Sequence, residues 1–440
     1  MRSIAATALG LALLGAAQDE ARKPNFVIFF TDDQGYNDVG CFGSPSIRTP
    51  NLDRMAAEGT RLTSFYAQTV CGPSRTALLT GCHFMRAAPR ARGWNLPGEE
   101  VTLAEVLKKA GYATGCVGKW DLSGRRYIED RHPLSQGFDS FFGTLGANDA
   151  GTVALMRDRE ALGPERDMGR LTGLYTEEAV SFIEKRAGGP FFLYLAHTMP
   201  HVRIGASEAF RGKSPRGLYG DVIEELDASL GRVLEALRKA GLEKSTVVLF
   251  TSDNGPWLSK GELGGSAAPL RAGKGSAWEG GFRVPALLWG PGRIPAGRVA
   301  GGMVATLDVL PTFARMAGAE LPGDRVLDGR DQSAYLSGRA ESSAREEFYY
   351  YLQQHLQALR RGRWKIQLPR EKPVMGYAPE GLPIRAPQLY DLEADLSERE
   401  DVSAKHPDVL RELLELAEKV REDLGDGDRP GKGWRNASSD

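Results

Sequence analysis

The chain has 440 residues, 41% of them hydrophobic and 26% charged, with a net charge of -1. That length allows a large core, with one big domain and a smaller companion. The balanced charge excludes a bulk field that would gather nucleic acid or anionic lipid, so any recognition of an anion has to be local.

Taken in chain order, residues 1–17 read as a secretory signal. Arg2 starts it, an apolar run covers residues 4–14, and Gly15-Ala16-Ala17 resembles a small-residue cleavage site. The run is short for a bilayer, no later stretch reads as a membrane span, and the expected location is secreted or periplasmic. A buried N-terminal helix is the structural alternative. Residues 25–30, NFVIFF, form an unbroken apolar run, the pattern of a strand buried on both faces. Residues 101–110 have helical spacing, Gly111 ends it, and 112–117 return as a strand that holds Cys116. Residues 191–196 and 246–251 are further buried strands. Between them 221–240 is an amphipathic helix with Leu226, Leu230, Val233, Leu234 and Leu237 on one stripe.

This alternation predicts an α/β fold: a large mixed, mostly parallel sheet flanked by helices, spanning 24–335 as a catalytic domain. Polar, Gly/Pro-rich text then marks a change of unit. Residues 348–351, 356–360 and 364–368 read as strands of a small antiparallel sheet, and 406–424 as a helix, giving a C-terminal α+β subdomain over 346–425. Residues 426–440 read as a frayed tail. The four cysteines are too few for a disulfide framework, and pairing of Cys41 with Cys82 stays open.

The candidate chemistry sits at strand ends. Asp32-Asp33 follows the first strand and Asp253-Asn254 a later one, the place where sites form in open parallel sheets. Three carboxylates and an amide oxygen make a hard, all-oxygen set suited to calcium rather than zinc. Read alone, such a pair after a strand more often caps the next helix. Cys71-Gly72-Pro73-Ser74-Arg75 opens a helix, since proline suits its first turn. Residue 71 therefore falls at a helix N-terminus, where anions are favoured, with Arg75 one turn on. A buried structural cysteine is the plain alternative. Lys119 and Lys274, each read alone, are more often solvated surface charges, but Lys274 is set between Gly273 and Gly275, where the backbone can approach a ligand closely. His197 and His201, four residues apart, are imidazoles suited to proton transfer near neutral pH and rivals for one such role.

These segments, PNFVIFFTDDQGYNDVGCFG (24–43), VCGPSRTALLTG (70–81), GYATGCVGKW (111–120), FFLYLAHTMPH (191–201), FTSDNG (250–255), GKGSAWEGGFRVP (273–285) and LYDLEADLSERED (389–401), resemble those of type I sulfatases in family order. The resemblance implies an alkaline-phosphatase-like fold and hydrolysis of sulfate esters, of carbohydrates or of aryl compounds. It implies that Cys71 is oxidised to formylglycine by a sulfatase-maturing enzyme, and that Asp32, Asp33, Asp253 and Asn254 hold Ca2+ together with residue 71. One oxygen of the formylglycine hydrate would attack sulfur and the other later expel sulfate. Arg75 would steady the hydrate, Lys119 and Lys274 would grip sulfate oxygens, and His201 would protonate the leaving alcohol. The chain departs from the pattern at Asp121, where many sulfatases carry histidine. Asp121 would accept a proton from the hydrate, bind substrate or cap a turn, and His132 is a substitute to weigh. Phosphate or phosphonate monoester hydrolysis on the same scaffold, and an inactive glycan-binding relative, are the other functions the sequence allows. Substrate contacts are expected in 148–159 and 353–355.

Overall fold

The computed structural model describes residues 23–88, 95–371, 375, 377 and 383–435. The signal reading on 1–17 and the end of the tail, 436–440, lie outside the described residues.

The apolar run becomes the strand Asn25–Thr31, all seven residues buried. It lies parallel between Phe191–Ala196 and Thr246–Ser252, so both its edges and both its faces are covered. Ala113–Lys119 adds beside Phe191–Ala196, and Ser140–Thr144 beside that, both parallel. On the other side Arg283–Trp289 runs antiparallel to Thr246–Ser252, then Thr60–Tyr66 antiparallel to it. With Arg298–Ala300, Val304–Ala305 and the hairpin Val153–Arg157/Glu160–Glu165, the large mixed sheet has eleven strands. Helices on the two faces bury separate apolar clusters, one around Val27, Leu195 and Leu230, the other around Phe26, Phe192 and Leu310. The α/β architecture expected from the sequence is thus present.

Local chemistry sets the boundaries. The helix Leu103–Lys109 starts on a capping box in which Thr102 Oγ1 accepts from Glu105 N and the Glu105 carboxylate accepts from Thr102 N. The amphipathic helix begins earlier than expected, as Gly217–Lys239. The Asp221 carboxylate does not cap it, because it accepts from Gly212, Lys213 and Ser214 N of the preceding loop. The strand Ala113–Lys119 needs glycine at 118: φ is 107° there, and a Cβ would come within 1.9 Å of Ala196 O.

A second, four-stranded antiparallel sheet takes Glu347–Leu352, His355–Arg361, Trp364–Gln367 and Gln388–Asp391 in order, covered by the helix Pro407–Leu424. The fourth strand was not read from sequence, where it overlaps the start of the 389–401 motif. The described part of the expected frayed tail is tied down: Trp434 Nε1 donates to Leu424 O, and Arg435 pairs with Glu100. All four cysteines are free, so Cys41 and Cys82 are not bridged. Cys82 Sγ instead donates to Thr80 O and Val326 O. No helix among the described residues is long and apolar enough to cross a membrane.

Candidate active site

The parallel strands end together. Asp253 N donates to Thr31 O, Asp32 N to Met199 O and His197 N to Phe30 O, which locks the three central strand ends into one platform. Asp32, Asp33, Asp253 and Asn254 leave this platform and are buried. Asp33 N donates to Asp253 Oδ1 at 3.1 Å, and Asn254 Nδ2 to Asp33 Oδ1 at 2.7 Å.

The helix Cys71–Thr80 is buried along its whole length and points its N-terminus at the same place. Ser74 Oγ fastens it there, donating to Asp253 O and accepting from Gln68 N. Arg75 leans back one turn. Its Nη2 donates to Asp32 Oδ2 and Asp253 Oδ2, each at 3.0 Å, and its Nη1 to Lys119 O and Tyr194 Oη. Lys119 Nζ reaches Asp32 Oδ2 at 2.6 Å and Lys274 Nζ reaches Asp33 Oδ1 at 2.6 Å. Lys274 Nζ also lies 3.9 Å from Cys71 Sγ. Every position drawn from the sequence for metal or anion binding is therefore in one cluster.

Of the two glycines beside Lys274, Gly273 packs against the protein itself. A Cβ at Gly273 would meet Pro256 O at 2.4 Å, so the close approach is to the protein's own backbone, to which Lys274 N donates.

Three carboxylates (Asp32, Asp33, Asp253) face three cations (Arg75, Lys119, Lys274) in a buried volume. Burial pushes the Asp32 carboxyl up, but Lys119, His201 and Arg75 outweigh it and hold Asp32 well below the usual carboxylate range. Asp253 is pushed up, by burial and then by Asp32 beside it. Burial raises the Cys71 thiol well above its ordinary value, with Asp253 and Asp32 adding to the effect. As a thiol, residue 71 is therefore a poor nucleophile.

The cluster fits a divalent cation. One ligand atom each of Asp32, Asp33, Cys71 and His201 lie within 4.8 Å of one another. Asp33 Oδ2 and Asn254 Oδ1 are buried without a hydrogen-bond partner. Oxygen atoms in that state call for an ion or a donor. Apart from residue 71 and His201 the available donors are oxygens, the set a hard cation takes.

Asp121 is buried between two cations, Oδ2 at 3.4 Å from Lys119 Nζ and Oδ1 at 2.9 Å from Arg125 Nε. Burial raises its carboxyl, but Lys119 and Arg125 more than compensate and leave it lowered. His132 is not its substitute: Nδ1 accepts from Leu134 N, and the ring packs against Tyr127 and Phe141. His201 and His197 also separate. His201 Nε2 lies 3.8 Å from Asp33 Oδ2, whereas His197 is held in the core against Phe29 and Tyr175, with Nε2 3.3 Å from Ser229 Oγ.

Sequence reasoning missed Arg125, Trp257 and Tyr377. The Trp257 ring lies 5.6 Å from that of His201 and 4.8 Å from that of Tyr377, and Lys274 Nζ is 5.0 Å from the indole centroid. Of the expected contact segment 148–159, Asn148 and Asp149 belong here. Asn148 Nδ2 donates to His201 O, and Asp149 Oδ1 is 3.7 Å from His201 Nε2. The other segment, 353–355, does not. It forms the turn between two strands of the small sheet, where His355 Nδ1 lies 3.3 Å from Asp426 Oδ1.

Sheet and site together define an alkaline-phosphatase-like hydrolase. The sulfatase family model matches residues 24–319, and the model for the C-terminal region of aryl-sulfatase matches 343–432. The chain is 40% identical over 396 residues to N-acetylgalactosamine-6-sulfatase of Mus musculus, covering 82% of this chain and 74% of that one. It is 36% identical over 456 residues to arylsulfatase A of Homo sapiens, covering 92% and 89%. The solved structure of Ps i-CgsB in complex with k-i-k-neocarrahexaose superposes with a TM-score of 0.79 at 31% identity, covering 90% and 92%. The PsFucS1 sulfatase from Pseudoalteromonas sp. superposes with a TM-score of 0.81 at 26% identity, covering 92% of each chain. The chain belongs to the type I sulfatase family and is a sulfuric ester hydrolase.

Proposed function

We propose that the protein is a calcium-dependent, formylglycine-dependent sulfatase of carbohydrate sulfates, exported from the cell and matured by a formylglycine-generating type of enzyme. The observation that carries this reading is the placement of Cys71 at a buried helix start, within reach of Asp32 and Lys274, in a setting that suppresses its thiolate. A thiol there is a poor nucleophile, which favours another chemical form at residue 71. Asp32, Asp33, Asp253 and Asn254 would hold the cation beside residue 71. When present, the cation and the formylglycine hydrate supply an ionised oxygen nucleophile and stabilise charge on sulfate.

The chain's own groups do the rest. Arg75 ties Asp32 to Asp253, so both carboxylates keep one orientation. Each lysine ammonium has three protons. Lys119 faces Asp32 and, more distantly, Asp121, Lys274 faces Asp33, and each keeps a proton for the peripheral sulfate oxygens, where charge grows in the transition state. Three carboxylates against three cations leave the buried site close to neutral, so a divalent cation makes it net positive and attracts an ester anion. The His201 Nδ1–H donates to Val202 O at 2.6 Å, which turns Nε2 toward the site; burial lowers the His201 pKa against Asp33 and Asp32, so Nε2 gives a proton to the leaving alcohol oxygen only from the imidazolium form, which those two carboxylates favour. Asp121, held ionised, accepts a proton from the nucleophile side in place of the family's histidine. Carbohydrate as the leaving group is supported by the names of the relatives, one a sulfatase of N-acetylgalactosamine and one solved with a neocarrahexaose.

The test is mass spectrometry of the tryptic peptide 62–75 from cells that contain the maturing enzyme, together with the Cys71→Ala variant. An aldehyde at 71 and loss of sulfate release in the folded variant are expected. A free thiol in fully active protein, or turnover by Cys71→Ala, would overturn the reading.

A further inference from the structure

His201 Nε2 fixes where a leaving group must stand. On the inner side its neighbour is Asp33, at 3.8 Å; on the outer side it is Asp149 Oδ1, at 3.7 Å. Both are beyond hydrogen-bond reach, so the leaving oxygen can enter between them. Whatever carries that oxygen then lies against the outer neighbours.

Those neighbours form a mixed wall. Asp149 is 44% exposed and Arg125 46% exposed, and the two pair at 2.8 Å. Arg125 Nε is spent on Asp121, Nη1 on Asp149, and Nη2 has no hydrogen bond among the described residues. Arg125 also holds a left-handed backbone, φ 61°, as do Asp121 at 54° and Asp33 at 65°. Such a conformation is disfavoured for an arginine, and the ion pairs to Asp121 and Asp149 hold it there. The half-buried indole of Trp257 also flanks His201, 5.6 Å from its ring, with Tyr377 at its edge and the exposed Lys260 Nζ 4.2 Å from its centroid.

Resting on the sulfatase reading and on His201 as proton donor, we propose that Arg125, Asp149 and Trp257 form the subsite for the leaving group, and that it takes a neutral pyranose whose only charge is the sulfate ester. A pyranose matches both sides of the wall: hydroxyls pair with the Asp149 carboxylate and Arg125 Nη2, and the C–H surface lies along the indole. An aryl or steroid leaving group suits only the indole. It strips water from Arg125 and Asp149 without replacing those hydrogen bonds, the kind of mismatch that discriminates strongly. A sugar with a second anion, such as a uronate, meets Asp149 and Asp121, while Arg125 is already shared between those two carboxylates; the Lys260 ammonium over the indole is exposed and screened by solvent, so it offsets little of that repulsion. The subsite is selective by this arrangement of charges, independently of how the sulfate itself is held.

The experiment is equilibrium binding by calorimetry to the Cys71→Ala protein in calcium, which removes turnover and any effect on proton transfer. The probes are inorganic sulfate, a methyl hexopyranoside monosulfate, 4-nitrophenyl sulfate and a sulfated disaccharide containing a uronate. The hexoside sulfate is expected to bind tighter than the other three. Asp149→Asn and Trp257→Ala, each added to Cys71→Ala, are expected to narrow its advantage over inorganic sulfate about 10-fold. If inorganic sulfate fails to bind, the sulfate site itself is wrong and both readings fall. If sulfate binds but the hexoside gains nothing over it, or the two substitutions leave that gain intact, the subsite alone is overturned. Tighter binding of the aryl sulfate or of the uronate probe overturns it as well.

Discussion

Lys365 Nζ lies 3.0 Å from Glu279 Oε1, and both side chains are completely buried. The pair joins the small sheet to the segment that carries Lys274. The same ammonium is 2.8 Å from Glu398 Oε1, while Glu398 Oε2 accepts from Glu279 N. Tyr350 donates to the same Glu279 Oε1 and Tyr66 to Glu279 Oε2, and Gln367 Nε2 donates to Ala277 O, three residues from Lys274. The C-terminal unit is thus a clamp on one wall of the site.

Removing the ammonium leaves two buried carboxylates without their shared cation. Lys365→Met is expected to destabilise the protein by about 3–5 kcal/mol. Lys365→Met with Glu398→Gln is expected to recover part of that loss. Denaturant unfolding of the three proteins checks it, and a single variant within about 1 kcal/mol of the parent would show that the pair does not anchor the wall.

How much of this could be read in the sequence depended on distance along the chain. Asp32-Asp33, Asp253-Asn254 and Cys71 to Arg75 each announce themselves locally, because a strand end or helix start fixes where the side chains go. The Lys365–Glu279–Glu398 triad does not: its members are 86 and 119 residues apart, and each alone looks like a solvated charge. Arg125 and Trp257 were missed for the same reason, being loop residues whose meaning comes from what the fold sets beside them. Asp149 fell inside a segment marked only as polar. The purpose of Gly273 was misread because its near neighbour, Pro256 O, is seventeen residues back and visible only in the fold.

Calcium should be measurable without turnover. After treatment with a chelator, readdition of calcium is expected to raise the melting temperature, since a ligand at 100 times its Kd stabilises by about 2.7 kcal/mol. Asp33→Asn removes a carboxylate from the group that includes the unpaired Oδ2, and is expected to abolish most of the shift. An equal calcium response in parent and variant would place the cation elsewhere.

Asp121 gives a sharper kinetic test. Its carboxylate is held ionised by Lys119 and Arg125, so it can take a proton but has none to give. Asp121→Asn keeps the shape and removes the acceptor. A fall in kcat on the order of 100-fold, with KM little changed, is expected of a lost proton acceptor. A rise in KM with kcat preserved would assign Asp121 to substrate binding instead.

His197 makes the opposite kind of prediction, one about stability. Burial alone depresses its pKa to about 3. The folded protein therefore keeps it neutral while the unfolded chain takes up a proton below about 6.5. Its contribution is complete above pH 6.5 and is lost as pH falls from 6.5 toward 3, at about 1.4 kcal/mol per pH unit. His197→Phe keeps a ring against Phe29 and Tyr175 and removes the proton. Between pH 7 and pH 5 the parent is expected to lose about 2 kcal/mol more than the variant. Urea unfolding midpoints at the two pH values measure the difference, and parallel losses in the two proteins would mean that His197 protonates in the folded state as readily as in the unfolded one.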